Sequence, residues 1–170
     1  MDNVSKPVPF AVLSHNDLDG AVSAAVMMHA LDAKRREGAN IVPFVRWSST
    51  GQSANDDVFD LAELGIPTVV SDLAISGEAW SALVSVPRPA GTEDIPFVVD
   101  HHPESKQFSK LHGAVVDMSS SAALLCLVHC RDVLGISFFA NQRLVRAAEL
   151  ADDYDMWKHK TPESRRLNAF

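Results

Sequence analysis

The hydrophobic positions of this chain form short continuous runs, separated by longer segments of mixed apolar and polar character. Five runs predict buried strands, at 10–13, 41–47, 68–70, 97–99 and 114–116. The remaining segments predict helices at 20–37, 56–64, 78–84 and 141–151, and a further helix that is capped by Ser119, Ser120 or Ser121 and runs to 133. Strands that alternate with helices are typical of an α/β fold, here an open, doubly wound, mainly parallel five-stranded sheet with helices on both faces.

Local patterns place individual elements within this sheet. The first helix is apolar nearly all round, which predicts that it is buried against the sheet. Pro43 lies inside the second run and lacks the N–H that a central strand needs, so this run is predicted to be an edge or irregular strand. Right-handed crossovers bring the carboxyl ends of the strands to one edge, where sheets of this kind bind ligands.

Acidic and histidine residues follow the predicted strands at this edge. They are His15, Asp17 and Asp19 after the first run, Asp72 after the third, and Asp100, His101 and His102 after the fourth. A further group follows the last helix and consists of Asp152, Asp153 and Asp155. Alternate residues of an extended chain point the same way, so His15, Asp17 and Asp19 can converge on one point.

This concentration of carboxylates and imidazoles predicts a metal site. Without a cation these groups repel or desolvate one another, and mixed oxygen and nitrogen ligands suit Mn²⁺, Mg²⁺, Fe²⁺ or Zn²⁺. The supply exceeds the need of one ion, which favours two ions about 3.5–4 Å apart that share a carboxylate. Taken alone, Asp72 would be interpreted as a helix cap. Asp17 and Asp19 alone would be interpreted as part of a turn in which Gly20 has a positive φ. Their coincidence at three strand ends favours the metal site.

Taken in order along the chain, these motifs resemble those of the DHH phosphoesterase superfamily. They are His15-x-Asp17-x-Asp19-Gly20, the strand-end Asp72, Asp100-His101-His102, and Asp153-Tyr-Asp155-Met-Trp157. The resemblance covers roughly residues 10–160, and the last motif is similar to the ending of the nano-RNase-like branch. The superfamily includes RecJ-type single-strand exonucleases, nano-RNases, cyclic-dinucleotide phosphodiesterases and family II inorganic pyrophosphatases.

The resemblance implies a role for each matching residue. One ion would be held by His15, Asp17 and Asp72. The other would be held by Asp19, Asp72, His101 and an aspartate of the last motif, for which Asp153 is favoured while Asp152 and Asp155 stay open. His102 would contact the substrate phosphate, and Asp100 would orient the histidines.

The function that the resemblance implies is a Mn²⁺-dependent phosphoesterase, with Mg²⁺ as the alternative metal, that hydrolyses phosphodiester bonds of short single-stranded oligonucleotides. The two ions would lower the pKa of a shared water, so that hydroxide attacks the phosphate. The alternatives are a hydrolase of a small phosphate ester, a cyclic dinucleotide or pyrophosphate, and a non-catalytic module that binds nucleotide or metal. Pyrophosphatases of the superfamily place three residues between the His and the first Asp, whereas Asn16 stands alone here.

The resemblance also predicts the domain organisation. Residues 1–157 are expected to form the catalytic domain, and 158–170 a polar linker or the start of a missing second domain. In the superfamily a second domain, often with a Gly-Gly-Gly-His-like motif, closes over the substrate, and this sequence contains no such motif.

Composition narrows the partners. The 15 Lys+Arg and 22 Asp+Glu residues give a net charge of -7, which disfavours binding of long duplex nucleic acid. No apolar run reaches membrane-spanning length, and two cysteines make no disulfide framework, so a cytoplasmic location is the default expectation. Arg46 lies next to the end of the second run and is a candidate for gripping phosphate, with ordinary edge-strand packing as the alternative. Assembly into a homo-oligomer stays open.

Overall fold

The structure is a computed structural model that describes residues 6–167. Its five strands are all parallel and form one sheet in the order β2-β1-β3-β4-β5. The strands are β1 (Val8–His15), β2 (Ile41–Ser48), β3 (Thr68–Ser71), β4 (Val98–Asp100) and β5 (Ala114–Val116). The predicted α/β fold is confirmed, and β2 is an edge strand, as Pro43 indicates.

Helices cover both faces of the sheet. They are α1 (Leu18–Arg36), α2 (Gln52–Glu63), α3 (Gly77–Ser85), α4 (Ala122–Asp132), α5 (Gln142–Asp155) and α6 (Pro162–Leu167), with a 3₁₀ helix at Pro103–Phe108. One hydrophobic core joins the sheet to α1, α4 and α5, and a second joins it to α2, α3 and the 3₁₀ helix. The expected burial of α1 is confirmed, since Val22, Met27 and Leu31 belong to the first core. None of the helices within residues 6–167 combines the length and apolar character that crossing a membrane requires.

The carboxyl ends of β1, β3 and β4 meet at one edge of the sheet. Ser14 pairs with Ser71, and Ser71 pairs with Val99, so the residues that follow each strand lie at the same level. The chain runs outward from β1 to the edge strand β2 and then crosses back to β3. The connections after β1 and β3 therefore diverge and leave a crevice, which is the usual ligand position in such sheets.

Helix α5 brings the last acidic motif to the same edge. Both α1 and α4 begin at this edge, whereas α5 ends at it. Helix α5 therefore runs antiparallel to α1 and α4, which it contacts. The predicted helix ends at 151, but α5 continues to Asp155, which places the whole aspartate group on its last turns. The segment 158–170, predicted as a linker or the start of a second domain, contains α6, which contacts α5, while residues 168–170 lie outside the described residues.

Helix α1 approaches β1 so closely that its third residue has no room for a side chain. A Cβ at Gly20 would lie 2.1 Å from the carbonyl oxygen of His15. The backbone of Gly20 is helical, so the positive φ considered for this glycine does not occur. The small size of Gly20 is what allows the first turn of α1 to sit over the end of β1.

We expect Gly20→Ala to lower the free energy of unfolding by about 3 kcal/mol, because the new methyl group must push α1 away from β1. Gly77→Ala is the matched control, since a Cβ there meets no atom within 4 Å and the residue begins α3. Urea titrations of the two variants measure the difference. Equal stability of both variants would contradict the close-approach argument.

Candidate metal centre

The junction of β1 and α1 presents two side chains to the crevice. His15 Nδ1 lies 2.9 Å from Asp17 Oδ2. The other oxygen of Asp17 accepts a hydrogen bond from the Gly20 N–H at 2.9 Å and so caps α1. Asp17 therefore caps α1, a role that the sequence analysis did not assign to it, and its second oxygen remains beside the imidazole. Capping of the helix and binding of a metal ion by this residue are compatible.

Asp72 follows β3 and lies at the centre of the group. Its backbone has φ 57°, in the left-handed region that non-glycine residues seldom adopt. Its side chain is buried, and Oδ2 has no hydrogen-bond partner among residues 6–167. Burial, together with repulsion from Asp19 and Asp17, raises the pKa of Asp72 to about 10. A buried carboxylate oxygen without a hydrogen-bond partner is costly, and a bound cation would compensate that cost.

The second half of the group surrounds His101. Its Nε2 lies 3.3 Å from Asp72 Oδ1, 3.4 Å from Asp155 Oδ2 and 3.7 Å from Asp19 Oδ2. Burial raises the pKa of the Asp19 and Asp155 carboxyls, with hydrogen bonding from the Ala123 N–H opposing it at Asp19 and attraction to His101 opposing it at Asp155. Several acids held near one imidazole are costly unless a positive charge compensates them.

Asp72 joins the two halves through its two oxygens. Oδ2 lies 3.9 Å from His15 Nδ1, while Oδ1 faces His101. Two sets of three residues thus offer ligand atoms within 4.8 Å of one another, namely His15, Asp17 and Asp72 on one side and Asp19, His101 and Asp155 on the other. A third set, Asp72, His101 and His102, overlaps both. The donor types and the shared carboxylate fit a pair of divalent ions.

Asp19 is fixed by a helix that is distant in sequence. Its Oδ2 accepts from the Ala122 N–H at 2.8 Å and its Oδ1 from the Ala123 N–H at 2.9 Å. These N–H groups belong to the first turn of α4, where the helix dipole favours a carboxylate. A carboxylate has about four lone-pair positions, so these bonds leave capacity for a cation.

Asp100 and His102 form a second layer beside the cluster. Asp100 is fully buried, and its Oδ1 accepts from His102 Nδ1 at 2.7 Å while its Oδ2 accepts from the Ser105 hydroxyl at 2.5 Å. The hydrogen bond to Asp100 raises the pKa of His102, although burial opposes the shift. The orienting role expected of Asp100 is matched by this geometry for His102.

The structure does not bring Asp153, the favoured last ligand, to the cluster. Its carboxylate accepts hydrogen bonds from the N–H groups of Lys160 and Thr161 and from the hydroxyls of Thr161 and Ser164. These bonds, that of Ser164 first, lower the pKa of Asp153 to about 2. Asp153 thus holds the turn that leads into α6, and Asp155, one of the two residues left open, takes the place beside His101.

Asp152 is also used elsewhere. Its Oδ1 accepts from the Ser121 N–H at 3.0 Å, and its Oδ2 lies 2.5 Å from Lys158 Nζ. It therefore ties the end of α5 to the start of α4. The three neighbouring aspartates have three different partners.

We expect Asp155→Asn to weaken Mn²⁺ binding by at least about tenfold, because it replaces a charged ligand with a neutral amide. Asp153→Asn should leave the Mn²⁺ affinity unchanged and lower the thermal midpoint, since its carboxylate serves only the turn before α6. Isothermal titration calorimetry and thermal unfolding of both variants test this division. Loss of affinity in Asp153→Asn alone would restore the sequence-based choice of ligand.

Arg46 is not available for phosphate in this structure. Its guanidinium hydrogen-bonds to Asp57 and, at 3.1 Å, to Asp60, both on α2. The ion pairs raise the pKa of Arg46, although burial opposes the shift. Arg46 therefore fastens β2 to α2, and the phosphate-gripping role is not supported by its placement.

A network of three hydroxyls beneath the cluster is not evident in the sequence. Ser14 and Ser71 lie 2.9 Å apart, and Ser23 lies 3.2 and 3.1 Å from them, with all three fully buried. Ser14 and Ser23 also donate to the Gly20 carbonyl at 2.8 and 2.9 Å. The network locks the first turn of α1 onto the ends of β1 and β3. Small polar residues at both strand ends were the available signal, but their partner on α1 is visible only in three dimensions.

Comparison with known proteins supports the fold but provides no information on the function. No protein-family model matches the chain, and no curated protein matches it. The chain is similar to a solved structure described as an uncharacterized protein from Helicobacter pylori G27, with 17% sequence identity and a TM-score of 0.62. The match covers 90% of this chain and 45% of the Helicobacter protein, so this chain spans less than half the length of that structure. At this identity the likeness shows the fold alone.

Proposed function

We propose that this protein is a divalent-metal-dependent phosphoesterase of the DHH type that hydrolyses phosphodiester bonds of short single-stranded oligonucleotides. The observation that carries the proposal is the position of Asp72, whose two oxygens face two separate sets of ligand-type side chains. A shared carboxylate between two such sets is the arrangement that two-metal phosphoryl chemistry requires. Mn²⁺ is the metal that we propose, with Mg²⁺ as the alternative.

The residues divide the work of holding the ions. His15, Asp17 and Asp72 would hold one ion, and Asp19, Asp72, His101 and Asp155 would hold the other. When bound, the pair supplies an acidified water as nucleophile and neutralises the phosphate oxygens. The buried serine network and Gly20 keep Asp19 and His15 in place, so that the ligands need little reorganisation.

His102 is the residue that we assign to the substrate phosphate. It is partly exposed at the crevice, and Asp100 holds its ring through Nδ1. Because this hydrogen bond favours the protonated ring, His102 can donate from Nε2 to a phosphate oxygen as negative charge grows there. Asp100 acts as a positioning residue, since it is fully buried and reaches the substrate only through His102.

The acidic character of the chain agrees with a short substrate. Two divalent ions would reverse the local charge of the cluster, whereas the chain as a whole, with its net charge of -7, would stay acidic after they bind. A few nucleotides can approach the cluster, but a long duplex would also lie against the acidic surface.

The test is a panel of di- to pentanucleotides, cyclic dinucleotides and pyrophosphate, incubated with the metal-stripped protein, with Mn²⁺ and with excess chelator. We expect Mn²⁺-dependent cleavage of the short linear oligonucleotides, its loss with chelator and its return on adding Mn²⁺. Preferential hydrolysis of a cyclic dinucleotide or of pyrophosphate would identify that compound, rather than a short oligonucleotide, as the substrate. Tight Mn²⁺ binding without turnover of any member would identify a non-catalytic binding module instead.

A further inference from the structure

A cavity of about 460 Å³ opens beside His102 at the same edge of the sheet. We call it the His102 cavity, and its lining residues are Thr50, Gly51, Asn55, Ala74, Ile75, His102 and Glu104. They come from the connections that follow β2, β3 and β4 and from the first turns of α2. His102 also belongs to the ligand set with Asp72 and His101, so the cavity adjoins the cluster directly.

We propose that the His102 cavity binds the nucleoside attached to the scissile phosphate. This inference rests on the proposed function and adds to it the location and chemistry of the organic part of the substrate. Because His102 lines the cavity, a phosphate in contact with His102 would lie next to it, and a group on the ester oxygen of that phosphate could extend into the cavity.

The size and shape of the cavity suit a nucleoside. Its volume lies within the range of about 300–1,000 Å³ that is typical of small-molecule sites and exceeds what a single phosphate needs. The partly exposed Ala74 supplies an apolar surface for a base or a sugar ring, and the adjacent Ile75 is almost fully buried. Asn55 is held in the wall because its side-chain oxygen accepts from the Ser76 N–H at 2.8 Å.

The charge of the cavity selects against a second phosphate. Apart from His102, Glu104 is its only ionisable lining residue within the described part of the chain, and it is acidic. A carboxylate at the mouth repels an anion but accepts hydrogen bonds from sugar hydroxyls or from an exocyclic amine. The Thr50 hydroxyl and the Asn55 amide add donors, so the lining can pair with both donors and acceptors of an uncharged polar group. A nucleoside has this character, whereas the distal phosphate of pyrophosphate does not.

Filling the cavity tests the assignment. We expect Ala74→Phe to raise the KM for a diadenylate at least about tenfold, while the inhibition constant of inorganic phosphate stays unchanged because the cluster is intact. Ala90→Phe is the matched control, since Ala90 is an exposed alanine in the loop before β4. An unchanged KM in a folded Ala74→Phe variant would overturn the proposal.

Glu104→Ala covers the case in which Ala74→Phe does not fold, because Glu104 is exposed. Loss of its hydrogen bond should raise the KM for diadenylate about three- to tenfold, and the exposed Glu63→Ala should have no effect. An unchanged KM in Glu104→Ala would count against the cavity as the nucleoside site.

A binding measurement separates this inference from the proposed function. Calorimetric titration with Mg²⁺ present should show that wild-type protein binds adenosine monophosphate at least about tenfold more tightly than inorganic phosphate, and that Ala74→Phe or Glu104→Ala reduces this preference. Preferential binding of the mononucleotide without any hydrolysis would refute the proposed phosphoesterase activity and support the nucleoside site. Hydrolysis with no preference for the mononucleotide would support the activity and refute the nucleoside site. Tighter binding of pyrophosphate than of the mononucleotide would assign the cavity to a second phosphate and overturn the inference.

Discussion

Asp72→Asn should reduce hydrolysis at least about a thousandfold and, at the same time, raise the thermal midpoint of the metal-free protein. The loss of activity is expected because the amide cannot bridge two cations, so both ligand sets lose a charged member. Asparagine has nearly the same shape as aspartate and tolerates the left-handed backbone at φ 57°. The substitution therefore removes the charge with little change in local geometry.

The gain in stability follows from the burial of Asp72. Keeping this carboxyl in the folded protein near neutral pH requires either a buried charge or an uptake of a proton, because its pKa is raised to about 10. Each pKa unit corresponds to about 1.4 kcal/mol, and recovery of one or two units should raise the midpoint by about 3–11 °C. Calorimetry of the metal-free variant, with the exposed Asp56→Asn as control, measures the shift. A lower thermal midpoint together with full activity would contradict the proposal that Asp72 is the carboxylate shared by the two ions.

Mn²⁺ should stabilise the wild-type protein more at pH 8 than at pH 5.5. At a concentration of about 100 times its Kd, a ligand adds about 2.7 kcal/mol, which corresponds to a rise of about 5–10 °C in the midpoint. Bound ions require deprotonated carboxylates, so the affinity grows with pH. Asp72→Asn should lose most of this gain.

The metal-free protein should show the opposite trend. In the unfolded chain Asp72 ionises near pH 4, whereas in the folded protein it retains a proton up to about pH 10. The unfolded state then binds fewer protons, so the contribution of this group to stability falls as pH rises across that window. Asp19 and Asp155, whose pKa values are also raised, act with the same sign. Calorimetry between pH 5.5 and 8.5 should therefore show that the stability of the metal-free protein falls with pH while the gain from Mn²⁺ grows, and a gain that does not change with pH would argue against ion binding at the cluster.

The sequence could predict the edge of the sheet but not the rotation of a helix. The positions of His15, Asp72 and His101 follow from a general property of parallel sheets, whose strands end at one edge. The choice between Asp153 and Asp155 depends on how far α5 continues. Because residues two apart lie on nearly opposite sides of a helix, extension of α5 to Asp155 turns Asp155 toward His101 and leaves Asp153 facing the turn before α6. The sequence pattern did not indicate that extension, and the predicted helix therefore ended at 151.

The roles of Gly20 and Arg46 were inaccessible for the same reason. A glycine after an acidic pair favours a turn, and only the distance to His15 shows that space is what matters there. Arg46 lies near the end of β2 at the ligand edge, but its partners on α2 follow in sequence after a polar loop whose path the pattern does not specify. Both cases depend on distances between elements rather than on the elements themselves.

The hydrogen bonds between Asp19 and the first turn of α4 connect residues 103 and 104 positions apart in the sequence. Contacts of such separation form late in folding, because a long stretch of chain must be ordered before they close. A nascent chain on the ribosome can build β1 to β4 well before α4 and α5 emerge. The proposed ligand set is therefore incomplete until α4 and α5 have been synthesised, because α4 fixes Asp19 and α5 carries Asp155.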